Sequence, residues 1–359
     1  MKQGRFWNIR SLVSAATIAA GVVTGSMAAS EEVIPMLACP LGCGVVQTNT
    51  VLAARMARDE SDILPAAQET PGFMYNVRAM AEEARWKTTV FGTEDTVIQA
   101  AFQGGREGLE KFMPQAVPIK FKLLFGIGGV AQGKFFITLD PSIKSIEDLK
   151  GKRISLGLPT QSDWGMAASL LLEHGYGITD ENTDIRNVTP PVMTQELIDG
   201  TTDAALVALL TNADNDLWWT NDLASKIEAS GKAITYLGVT EEAIDAVNEE
   251  FGMTLIKVNV PAGSMPGQKE DFLAGVNRAY QAVHPEFPDD KAYKLVMAVH
   301  KHGPALRDTG TGFWKFWSEA TMIDGLSEET AHPGAIKAYK ELGIWERAAD
   351  FSPVKYPDN

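Results

Sequence analysis

The residues best equipped for chemistry in this sequence are few and scattered. Two cysteines, Cys39 and Cys43, stand with three residues between them in Cys39-Pro40-Leu41-Gly42-Cys43-Gly44, ahead of an amphipathic stretch at 48–58. Three intervening residues are one more than the thioredoxin-type redox spacing, and two cysteines alone make a poor zinc site. A small-loop disulfide across the mouth of the following helix is the favoured reading, with a redox pair as the alternative. His300 and His302 lie two apart in a helical stretch and so face different sides. His174 ends a helix, where an imidazole complements the dipole, and His332, ahead of Pro333, caps another. No Gly-x-Ser-x-Gly, His-Glu-x-x-His or phosphate-loop pattern occurs. The expectation is therefore no metal and no cofactor. No nucleophile is paired with a base, so an enzyme is the lesser reading.

What remains is a polar loop held between a strand and a helix. Ile154-Ser155-Leu156-Gly157-Leu158 is a short apolar run behind a charged turn, the mark of a buried strand. Pro159 ends it, and Ser162 or Asp163 caps a helix running from Trp164 to about His174. Leu170, Leu171 and Leu172 give that helix an apolar stripe, and Gly175 and Gly177 stop it. In open α/β sheets such loops face the ligand crevice at the carboxyl ends of the strands. The helix start also offers unpaired N–H groups to an anion or a polar oxygen. An ordinary strand–helix connection is the competing reading.

The rest of the chain supplies the setting. Its 359 residues exceed one simple core, so two domains are the default. Lys2, Arg5 and Arg10 precede an apolar, small-residue run at 12–29, followed by Glu31 and Glu32. This is the pattern of a secretory signal peptide over 1–29, cleaved between residues 26 and 30, and it places the protein in the periplasm. The net charge of −14 becomes about −17 once those three cations are removed, which gives no electrostatic basis for binding nucleic acid. Strand-like and helical segments alternate, which argues for mostly parallel sheets covered by helices. Strands are expected at 86–91, 121–130, 134–139, 185–188, 204–210 and 234–237, with 212–219 a polar loop and 272 onward mainly helical. Gly126, Gly128 and Gly129 open no helix, so they read as close backbone packing rather than a dinucleotide fingerprint.

Taken in order, several segments resemble the TAXI class of TRAP-transporter solute receptors. These are the glycine-containing loop 40–44; Gly72 with Asn76-Val77-Arg78; Ser145-Ile146-Glu147-Asp148-Leu149 running into 150–157; and Asp199-Gly200 with Asp203-Ala204-Ala205. Val260-Pro261-Ala262-Gly263-Ser264-Met265-Pro266-Gly267-Gln268 and His332-Pro333-Gly334-Ala335-Ile336-Lys337 complete the set. The resemblance implies an α/β fold of the two-lobed periplasmic-binding-protein type, each lobe a mixed, mostly parallel sheet flanked by helices, with the ligand in the cleft between lobes. Lobe 1 would hold 31–138 plus 260–359 and lobe 2 would hold 139–259, with crossovers near 139–141 and 257–261. It further implies capture of a small organic solute for TRAP membrane permease subunits. A receptor feeding a sensor or an ATP-driven importer, and a secreted enzyme on the same scaffold, are the alternatives.

Carried onto this sequence, the pattern places the ligand among Gly42, Cys43 and Gly44; Phe73, Tyr75 and Asn76; Thr93 and Glu94; Gln161, Ser162, Asp163 and Trp164; and Asn212 and Trp218. Relatives that take small anions commonly carry a Thr-Arg pair where this chain has Asp163-Trp164. An arginine suits a carboxylate, whereas Asp163 would repel one. An organic acid is thus a weakened expectation. A larger aromatic or cationic solute stacked on Phe73, Tyr75, Trp164, Trp218 or Trp219 is the other, unless those rings serve only packing. Arg78 either supplies a positive charge or pairs with Glu82 one turn on.

Overall fold

Twelve strands carry the fold: β1 Glu32–Leu37, β2 Ile63–Gln68, β3 Val90–Glu94, β4 Lys122–Val130, β5 Phe135–Thr138, β6 Arg153–Leu156, β7 Asp184–Asn187, β8 Leu210–Thr211, β9 Trp218–Trp219, β10 Thr235–Gly238, β11 Ile256–Val260 and β12 Phe272–Val283. They are seen in a computed structural model that describes residues 32–40, 43–59, 62–348 and 352–357. The leader expected at 1–29 and the expected ligand residue Gly42 lie outside the described residues.

The strands form two sheets. The larger runs β2-β1-β3-β12-β4-β8-β9, with β11 beside the first half of β12. In it β1 lies parallel to β2 and β3, while β12 lies antiparallel between β3 and β4. The second is built from the parallel pair β6-β7 and the antiparallel pair β10-β5. Residues 204–205 join these pairs, Ala204 bridging to Ile154 and Ala205 to Ile137. Strands covered by helices on both faces show unbroken burial instead of alternation. Accordingly every residue of β3 and of β5 is buried. The chain passes from the larger sheet to the second at 131–134. The architecture is thus mixed α/β, with parallel pairs in both sheets and helices flanking them.

Several sequence expectations need correction here. The stretch from 272, expected to be helical, opens with β12, which is buried at all but one position in the middle of the larger sheet. Its Leu, Ala, Arg and Gln content favours helix by propensity, and two-sided burial erases the period-two signal that would have marked a strand. Helices do follow, at Asp289–Arg307, Glu319–Ile323 and Pro333–Glu341. Residues 204–210 are not one strand, because the chain there leaves the second sheet for β8 in the larger one. Trp218 and Trp219 form the short strand β9 rather than loop. Arg78 donates to the carbonyl of Phe112 at 2.8 Å, and Glu82 pairs instead with Arg85.

Other expectations held. His332 caps its helix, its Nδ1 accepting from Gly334 N at 3.2 Å. The glycines of β4 do allow close approach: a Cβ at Gly126 would sit 2.4 Å from the carbonyl oxygen of Thr321. No helix among the described residues is long and apolar enough to cross a membrane.

Candidate functional site

Parallel strands send their following loops to one edge, and here five such loops meet. The loop after β1 brings Cys39, Pro40 and Cys43, that after β2 brings Gly72 and Phe73, and β3 ends on Glu94. From the second sheet, the loop after β6 brings Gln161, Ser162, Asp163 and Trp164, and that after β7 brings Pro190. Together with Gln132, from the 131–134 passage, they wall a small cavity. It continues toward Gly44, Val130, Leu210, Trp219 and Phe313. This is the location an open α/β sheet assigns to a ligand.

Local structure explains how each wall is held. Gly157 N donates to the carbonyl of Trp164 at 2.7 Å, and Gln161 Oε1 accepts from Leu158 N at 2.9 Å, which folds the loop tightly onto the end of β6. The helix then opens with a wide π-turn, Ser162–Ala167, a form that recurs at functional sites. Across the cleft, Thr160 Oγ1 donates to Pro71 O at 3.2 Å. A Cβ on the neighbouring Gly72 would lie 2.3 Å from Thr160 O. Only glycine lets the loops of the two sheets touch there. Cys39 and Cys43 are joined as a disulfide, with their Cα atoms 6.0 Å apart, at the start of the helix Gly44–Arg58.

The polar end of the cavity is a buried charge cluster. Lys134, fully buried, donates to Asp163 Oδ1, to Asn277 Oδ1 and, at 3.3 Å, to Val130 O. Gly133 makes this possible, since its backbone has φ +78° and a Cβ would fall 1.8 Å from Asp163 O. Glu94 stands beside this pair, 1% exposed. Its carboxyl is held well above the usual range by burial first, then by the charge of Asp163 and a hydrogen bond to it, with Lys134 and a hydrogen bond to Ser162 offsetting part of this. Glu94 Oε2 and Asn277 Nδ2 have no hydrogen-bond partner, and of the two residues Glu94 lines the cavity. An unmade bond on a buried polar atom costs about 1–3 kcal/mol, so such an atom asks for an explanation. The next residue, Asp95, is pushed up to about 6 by burial, although it accepts from Thr96 N at 2.6 Å and Arg278 N at 3.1 Å.

The structure brings Cys43, Gly44, Phe73, Glu94, Gln161, Ser162, Asp163 and Trp164 together at the cavity and its extension. It uses others differently. Asn76 is a staple, its Nδ2 donating to Ala38 O at 2.7 Å and Gly92 O at 2.9 Å. Thr93 is buried within β3, and Tyr75 is 37% exposed outside the cavity lining. Asn212 folds its own loop, its Oδ1 accepting from Asp216 N and Leu217 N, both at 3.0 Å. Trp218 lies off the lining, and Trp219 takes the place expected for it because successive residues of β9 face opposite ways. Gln132, Lys134 and Phe313 were not anticipated. The only hint of the buried lysine was a charge inside the apolar run Lys134-Phe135-Phe136-Ile137.

A family model described as NMT1-like matches residues 67–343, most of the chain. This chain belongs to the NMT1-like family. Its fold is similar to that of several solved proteins at low identity. One is the periplasmic aliphatic sulphonate binding protein SsuA from Escherichia coli, 12% identical over 91% of this chain and 93% of that one, with a TM-score of 0.40. Another is R. palustris Rpa4515 with adipate, 13% identical over 88% and 96%, with a TM-score of 0.45. A third is an ancestral arginine-binding protein bound to arginine, 13% identical over 80% and 100%, with a TM-score of 0.39.

Proposed function

We propose that this chain is an extracytoplasmic receptor that captures a small organic solute between two lobes and hands it on unchanged. The observation that carries this reading is the shared cavity, walled by strand ends of both sheets and bridged over by the contact of Thr160 with Pro71. A cleft of that kind closes when the ligand makes contacts available only in the closed state. The proposed lobes are 31–138 with 260–359 and 139–259, adjusted so that β5 counts to the second and β8, β9 and β11 to the first, in keeping with their sheets, and the hinge includes 131–134. The leader at 1–29 would deliver the chain to the periplasm.

The membrane partner in this proposal is a permease. The sequence resemblance favours TRAP-type subunits. An ATP-driven importer is the second reading, in keeping with a solved Methylobacillus flagellatus protein, 14% identical to this chain, that is described as the periplasmic sulfonate-binding protein of an ABC transporter. A thermal-shift screen of small organic solutes should find one that stabilises the protein by mass action. Calorimetry of that solute with Trp164→Ala should then show affinity at least tenfold weaker. Unchanged affinity would remove the cavity from the binding site.

A further inference from the structure

We infer that the solute meets Glu94 through a protonated nitrogen, so that the cavity takes an amine-type cation whose carbon frame lies against Trp164 and Phe73. This rests on the reading of the chain as a solute receptor and adds the chemical class of its ligand.

Hydrogen-bond accounting leads to it. The three N–H bonds of the Lys134 ammonium already meet three acceptors, on Asp163, Asn277 and Val130. That cation is spent within the protein. No lysine, arginine or histidine lines the cavity or its extension. What lines the space is an acid: Glu94 borders the cavity, and its buried Oε2 has no hydrogen-bond partner. A carboxylate or sulfonate entering here would add a second negative charge beside Asp163, with Lys134 as the one cation, and would leave that oxygen unmet. An ammonium supplies a donor to it, and its charge is matched once Glu94 gives up its proton.

Helix starts at the cavity would ordinarily invite an anion. Here the protein's own carboxylates stand at those starts, without bonding the helix N–H groups as caps, and their presence disfavours an anion. Glu94 is the N-cap residue of the helix Asp95–Phe102, and Asp163 lies in the first turn of the helix that begins at Ser162. Trp164, 6% exposed, lines the cavity, and no ring or cation–π contact among the described residues competes for it. Burial and the neighbouring Asp163, partly offset by Lys134, keep Glu94 protonated in the empty cavity. An arriving cation favours its carboxylate, and the displaced proton leaves to solvent.

The test uses matched probes on the leaderless mature chain: benzylamine against benzoate, tryptamine against indole-3-propionate, and hexylamine against hexanoate and hexanesulfonate. At least one amine should raise Tm while its anionic partner does not, and Glu94→Gln should weaken that amine at least tenfold. Calorimetry of the wild type in two buffers of different ionisation heat should show a proton released on binding, a readout that needs no variant. Stabilisation by the anions alone, with Trp164→Ala abolishing it, would overturn the inference and leave the receptor reading standing. Stabilisation by no probe, or an amine bound equally by Glu94→Gln without proton release, would also overturn it. A wild type that binds no probe and no solute of the wider screen would take the receptor reading down as well.

Discussion

Two buried cations stand at neighbouring places along β12, and they are partnered to different degrees. Arg278 pairs through Nε with Asp324 at 2.6 Å, while its Nη atoms donate to Asn215 Oδ1 at 2.9 Å and Ala213 O at 2.7 Å. The loop 212–217 wraps it, and it ties that loop and Asp324 to the larger sheet. Lys134 holds Asp163 and Asn277, the residue before Arg278, yet leaves Glu94, which lines the cavity, with a buried oxygen that has no hydrogen-bond partner. A cluster whose acid meets a cation is architecture, even though Asp324 Oδ2 makes that contact as an ion pair without a hydrogen bond. An acid oxygen left without either beside a cavity is a place reserved for something else, because a fold gains nothing from an unmatched buried acid.

The largest expected effects come from removing either cation. Arg278→Met and Lys134→Met should each destabilise the protein by about 3–5 kcal/mol in chemical denaturation, since each strands a buried acid. The comparison sharpens in the folded fraction. Solute affinity should survive loss of Arg278, which lines no part of the cavity, and fail with loss of Lys134, which seats Asp163. Equal affinity in both would erase the distinction between the clusters.

A smaller effect is expected where the two sheets touch. Gly72→Ala would set a Cβ against Thr160 O on a backbone at φ +142°. Closure should become less favourable and affinity should fall by about tenfold, equivalent to about 1.4 kcal/mol. Scattering should show a solute-bound form less compact than that of the wild type.

Asp95 connects the clusters, because it accepts from Arg278 N and is also under the influence of Lys134. Its folded value of about 6 lies above the ordinary 3.8. Between those values the folded chain binds more protons than the unfolded one, so this residue's contribution to stability declines as pH rises through the window. Asp95→Asn cannot titrate. The stability of the wild type relative to Asp95→Asn should therefore fall by about 2 kcal/mol between about pH 4 and about pH 6. Paired denaturation curves across that range check it, and a constant difference would contradict it.

The smallest effect on stability is expected at Glu94. Glu94→Gln removes a carboxyl that burial disfavours, so Tm should hold or rise slightly while binding is lost. A steep loss of stability would make Glu94 part of the architecture, like Arg278.

Much of this was legible in the sequence. The β6–loop–helix unit announced itself through Pro159 and the apolar stripe at 170–172, which are local signals, although the cap expected from Ser162 or Asp163 is not made: the helix starts at Ser162, with Gln161 at the N-cap position and no side-chain cap bond. The cavity residues at 43–44 and 73 came from the family resemblance, and those at 161–164 also from their place after a strand. β12 was missed because two-sided burial leaves no alternation to read. Asn76, Thr93 and Asn212 were misassigned because a polar residue in a loop looks the same whether it binds a ligand or staples the backbone. Its role depends on carbonyls such as Ala38 O and Gly92 O, and pairing with them is set by tertiary structure. Lys134 and Glu94 meet across 40 positions of sequence, and only the passage at 131–134 brings them together.

Native mass spectrometry of the wild type and Glu94→Gln, expressed and purified side by side, bears most directly on the claim that the unmatched acid marks a solute site. The wild type should carry a small co-purified molecule that is released on denaturation, and Glu94→Gln, equally folded, should carry less than about a tenth as much. Equal loading of both proteins, or an empty wild type that also binds no solute when titrated, would contradict it.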